Sequence, residues 1–187
     1  MVAPDIYSPE QWTNFFVLVG TGSATLAGLV FVAMTINLKE ATKDATHRYR
    51  AINMLSGFTS VFVLSALALM GDQTYRTVGI EWLVVSVLAG AINTNGYIQA
   101  FRLHSSRYAL SPFRIVGGSA SYLGQIIGSL LLLLGFSAGV YVAAIALIVN
   151  FPFLVSGAWL LVIGTLRGSG QPTQVPSPEH HDRHPAD

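Results

Sequence analysis

The sequence has no cysteine and very little charge. The first absence removes disulfides, thiolate nucleophiles, cysteine-bound zinc and iron–sulfur clusters from what the chain can build with its own residues. The second excludes more. Lys, Arg, Asp and Glu make up 10% of the 187 residues and hydrophobic residues 52%, whereas an ordinary soluble domain carries roughly 25% charged residues. A chain of this composition cannot coat a globule with polar surface. What charge exists is clustered, with none between Glu10 and Lys39, Arg50 and Asp72, Glu81 and Arg102, or Arg114 and Arg167. Proton relays, voltage sensors and ion-coupled pumps usually place ionisable groups deep inside such intervals, and here none is deep in any. Also missing are an HExxH metal motif, an intramembrane aspartate pair and a serine with a span-embedded histidine partner. Enzymatic work and cofactor binding are therefore not expected of this chain, and no catalytic, cofactor or metal residue is assigned.

What fills the uncharged intervals is long apolar sequence. Phe15 to Leu38 reads FFVLVGTGSATLAGLVFVAMTINL, which as a helix of about 1.5 Å per residue extends roughly 36 Å, enough to cross a bilayer core of about 30 Å with some tilt. The interval after Arg114 is too long for one crossing and breaks at Gly135-Phe136-Ser137-Ala138-Gly139, where two glycines bracket a short hairpin. The expected fold is all-α, an integral membrane bundle of five transmembrane helices at about 15–38, 51–71, 78–100, 115–135 and 139–165. A polar leader, 1–12, precedes the 13–167 transmembrane domain. The Pro-, Ser- and Gly-rich segment 168–187 reads as a disordered cytoplasmic tail. Asp5 and Glu10 stand in the leader without a basic partner, so a cleavable signal peptide is not expected and the first helix is retained.

Basic residues give an orientation. Lys39, Lys43, Arg48 and Arg50 follow the first span, Arg102, Arg107 and Arg114 the third, and Arg167 and Arg183 the fifth, while Arg76 alone falls on the opposite side. The positive-inside rule then puts the N-terminus outside and the C-terminus inside. Trp12, Tyr75, Trp82 and Tyr141 fall near the outer interface and Tyr49, Tyr108 and Trp159 near the inner one, as aromatic belts do.

Few residues could carry a site. Gln125 and Asn150 lie near the middle of the fourth and fifth spans, with Thr25 at similar depth in the first, and together these three form the candidate midplane polar site. Pro152, two residues after Asn150, frees a backbone carbonyl near Ile148. Such amides line a solute pathway or bond across helices, and the second use is the commoner. Nearer the cytoplasm, Asn93 and Asn95 are about 200° apart on a helix, so only one of them can meet Asn37 or Asn53. Gly20, Ala24 and Gly28 in the first span, and Gly124 and Gly128 in the fourth, are candidate helix-packing positions whose small side chains let backbones approach. Within the chain they would fix the bundle; between chains they would form a homo-oligomer seam. GSATLAG (22–28) and GSASYLG (118–124) also match at four of seven positions, as an inverted repeat would. The histidines of EHHDRH in the tail read as solvated, lacking a frame to set metal geometry. The basic loop after span one reads as lipid-facing, with no nucleic-acid partner.

The stretch SATLAGLVFVAMTINL (23–38), led by Phe15-Phe16, resembles the opening helix of uncharacterised small multi-pass bacterial membrane proteins of an actinobacterial type. The resemblance covers about one eighth of the chain and implies a bacterial inner (cytoplasmic) membrane, with no activity or site residue attached. The expected function is that of a non-catalytic membrane component that binds the lipid bilayer and a second copy or another membrane protein. The alternative is a small channel or transporter subunit that uses the midplane residues.

Overall fold

A computed structural model of the chain describes residues 7–36, 45–102 and 112–168. The tail with its histidine cluster, the basic loop from Lys39 to Asp44, Asn37 and Tyr108 lie outside them. Five helices follow in order: α1 Thr13–Ile36, α2 Ala45–Ala68, α3 Tyr75–Arg102, α4 Pro112–Leu133 and α5 Ala138–Gly168. All five are long and apolar enough to span a membrane. Helices α2 and α3 run past the predicted spans because the apolar interval marks only the part without charge. His47, Arg48 and Arg50 lie in the first turns of α2 and Arg102 in the last turn of α3.

Several helix ends have a local cause. Pro112 opens α4 at a position where its missing N–H breaks no intrahelical bond. Thr74 caps α3, its Oγ1 accepting the Thr77 amide at 3.2 Å. The predicted hairpin after α4 is present: Gly135 takes the left-handed φ of 85°. There the Phe136 and Gly135 amides return to the carbonyls of Leu131 and Leu132, both at 2.9 Å, a Schellman ending. The α2–α3 turn is made by Asp72 at φ 58°, a conformation that Asp tolerates better than most non-glycine residues.

Neighbouring helices are antiparallel, and α5 returns to α2, so α2 to α5 close a ring while α1 lies outside it, packed chiefly on α2. Burial agrees: 22% of the apolar window of the first span is buried, against 50% for α2. The core of the ring contains Phe58, Val61, Leu64, Val78, Trp82, Leu132, Val140 and Leu147. Close approach at two seams requires glycine. A Cβ on Gly79 of α3 would stand 2.8 Å from the Leu133 amide, and one on Gly128 of α4 would stand 2.8 Å from both the Ala143 amide and the Gly139 carbonyl. Large apolar side chains cover the exterior instead, among them Leu18, Ile36, Leu88, Val116, Leu123 and Ile145.

The leader is less peripheral than its polarity predicts. Tyr7 is buried, its amide donates to the Gln73 carbonyl at 3.0 Å, and its ring meets Tyr75 edge-on at 5.8 Å. Trp12 packs edge-on against Tyr141 at 4.7 Å, and Phe16 against Trp82 at 5.6 Å. One end of the bundle is thereby closed by rings contributed from the leader, α1, α3 and α5.

Candidate functional site: a polar layer at the helix centres

Each of the five helices buries a polar side chain within about two residues of the middle of its apolar span. These are Ser23 on α1, Ser60 on α2, Ser86 on α3, Gln125 on α4 and Asn150 on α5. Three of them are hydrogen-bonded, Ser23 and Asn150 across helices and Ser60 within its own. The Ser23 hydroxyl donates to the Phe58 carbonyl of α2 at 2.7 Å, joining the outer helix to the ring. Ser60 donates to the Gly57 carbonyl of its own helix at 2.8 Å. The Ser121 hydroxyl on α4 is shared between its own Gly118 carbonyl at 2.7 Å and Asn150 Oδ1 on α5 at 3.0 Å. The Tyr122 hydroxyl stands within reach of both Asn150 and Ser60, over the gap that Gly57 leaves on α2.

The other side chains are not satisfied. Among the described residues, neither end of the Gln125 amide finds a hydrogen-bond partner, nor do Ser86 Oγ or Trp82 Nε1. Gln125 is only 1% exposed. Its backbone carbonyl accepts from Ser129 at 2.8 Å, which leaves the amide itself alone. A buried polar group without a partner costs about 1–3 kcal/mol, so a layer with this many of them is expensive as packing alone. The register of α3 on α4, fixed by Gly79 near Ser129 and Leu132 and by Gly90 near Tyr122, sets Ser86 level with Gln125 and Trp82 one turn nearer the aromatic end. Among the described residues of these helices no charged side chain is buried.

Of the three predicted midplane residues, the fold buries Gln125 and Asn150 in this layer and leaves Thr25 out. Thr25 is exposed and its hydroxyl turns back to the Thr21 carbonyl at 2.9 Å. The buried residue of α1 is Ser23, and two positions along a helix is a rotation of about 200°. Ser60 and Ser86 carry no such signal in the sequence, because serine is small, common in apolar helices and able to bond to its own backbone. Depth was readable from sequence and facing was not, since α1 is apolar on all sides.

Among the described residues the second polar level has one cross-helix bond. Asn53 Nδ2 of α2 donates to Asn93 Oδ1 of α3 at 3.0 Å, and Asn95 is exposed, which is the either-or that the 200° spacing requires. The predicted packing positions divide. Gly20 meets Ser65, Gly124 meets Ala146, and Gly128 meets Ala143 and Gly139, all within the chain, while Ala24 is exposed and Gly28 has nothing within 4 Å. The suggested inverted repeat is not matched in environment. Thr25 is exposed where its counterpart Ser121 is buried, and Gly28 is open where Gly124 is packed.

Two open grooves mark the ring's exterior. One, of about 440 Å³, lies between α2 and α3 and is almost wholly apolar. The other, of about 240 Å³, lies between α3 and α4, with Asn93 and Tyr122 in its wall. No protein-family profile, curated protein or solved structure matches the chain.

Proposed function

We propose that this chain is a five-span integral protein of a bacterial cytoplasmic membrane, N-terminus outside and C-terminus inside, that acts without catalysis as an accessory, partner-binding component. The observation that carries the partner-binding role is α1. It lies outside the ring, and its open side places Thr21, Ala24, Thr25 and Gly28 within about 100° of arc. Small residues on a lipid-facing helix let a second helix approach closely and gain contacts that lipid does not supply. Gly20, Gly124 and Gly128 are already used inside the chain, so Ala24 and Gly28 are the packing positions left for a partner. The neutral composition of the polar layer fits a role without acid–base chemistry.

The test is photo-crosslinking in native membranes. A photoreactive residue at Ala24 or Gly28 should give a discrete adduct with a second copy or another membrane protein, whereas one at Gly124, which faces Ala146, should give none. Lipid adducts alone from α1 would contradict the assignment. A second reading, a small solute-handling subunit, is favoured by one observation, the unpaired Gln125 amide at the bundle centre. Purified protein in proteoliposomes separates the two: solute flux that falls when Gln125 and Asn150 are both replaced by Leu supports the second and defeats the first.

A further inference from the structure

The unpaired atoms of the polar layer are complementary to a guest. Gln125 offers an amide donor and an amide acceptor, Ser86 a hydroxyl that can serve as either, and Trp82 a donor only. All three residues are 1% exposed, so bulk solvent does not reach them in this conformation. We propose that Gln125, Ser86 and Trp82 form an occluded site between α3 and α4, reaching from the centre of the bundle toward its aromatic end, for a small uncharged molecule that both donates and accepts hydrogen bonds, water itself or a solute of amide size.

Three features define the guest. It is uncharged, because among the described residues no charged side chain is buried beside these groups to balance an ion in a low-dielectric interior. It has both donor and acceptor capacity, because the two ends of the Gln125 amide demand opposite partners. It is small, because α4 is held close to α5 at Gly124 and Gly128 and close to α3 at Gly79, on either side of Gln125. Such a guest makes the two to four hydrogen bonds typical of a buried water, and the orphaned atoms then have the partners that buried polar groups normally have. The site rests on the layer itself and is independent of whether the chain is an accessory or a solute-handling subunit, so a partner found on α1 neither supports nor defeats it.

The test uses the full chain in detergent micelles with 15N-labelled tryptophan and glutamine side chains. The Trp82 indole N–H should show a long-lived water contact. Ser86→Ala should weaken that contact several-fold and Gln125→Leu should abolish it, while the indole signals of Trp12 and Trp159, at the two ends of the bundle, stay in place. Titration with acetamide separates the two sources. A saturable shift at Trp82 and Gln125 identifies a solute of amide size, and a retained water contact without saturation identifies water. A Trp82 indole that meets neither long-lived water nor acetamide overturns the proposal. So does a Gln125→Leu variant that melts at a higher temperature than the native chain with the Trp82 signal unmoved, since that result means the amide was simply unpaired. Should Gln125→Leu fail to fold, Gln125→Met, closer in shape, carries the same readings.

Discussion

At the scale of single residues, exposure decides which polar groups matter. Thr25 bonds to its own helix on the outer surface, so Thr25→Val should change stability by no more than about 0.5 kcal/mol. Ser23→Val removes the bond that joins α1 to α2 and leaves the Phe58 carbonyl without that partner. It should cost about 1–2 kcal/mol, the range found for cross-helix bonds in membranes. Reversible denaturation in mixed micelles measures both, and equal effects would contradict the facing assigned to α1. Tyr7 gives a pH dependence. Burial, and secondarily Tyr75 beside it, pushes its phenol well above its ordinary value near 10. The folded state thus favours the neutral form. Stability from this group is complete below pH about 10 and declines as pH rises beyond it. Tyr7→Phe should flatten the alkaline limb of the stability profile, read from fluorescence of the neighbouring Trp12 and Trp82. A profile unchanged by that variant would remove Tyr7 as the cause. The sequence showed that Gln125 and Asn150 are deep; it could not show that the Gln125 amide lacks a partner, because that depends on which faces of α3 and α5 pack against α4.

At the scale of elements, the five helices were legible because long uncharged intervals separate the clusters of charge, the pattern expected where charge is costly in hydrocarbon. Their ends were less so. The beginning of α2 at Ala45 lies in polar sequence that an apolar window does not include. The glycines were legible as packing positions but not as to partner. Gly128→Leu should force α4 from α5 and lower stability by about 3 kcal/mol or more, the overpacking limit being exceeded where backbone rather than side chain is in the way. Gly28→Leu meets nothing within 4 Å and should leave the monomer's stability nearly unchanged. Melting of the two purified variants against the native chain checks this. A Gly28→Leu variant as damaged as Gly128→Leu would mean that α1 packs differently.

At the scale of the whole molecule, the ring of α2 to α5 with α1 outside it was not legible. In water, an amphipathic stripe records which side of a helix is inside; in lipid, the outside is as apolar as the interior and the stripe fades. Polar residues replace it, buried at the centre while Leu18, Leu88, Leu123 and Ile145 stand outside. The central claim is that this exterior faces lipid in one orientation, the turn at Ser137 outside the cell and the segment containing Ser105 inside. The native chain has no thiol, so single cysteines report without background. Applied to intact cells, an impermeant thiol reagent should label Ser137→Cys fully and Ser105→Cys only after lysis. Labelling of Ser105→Cys in intact cells, or protection of Ser137→Cys, would contradict the account.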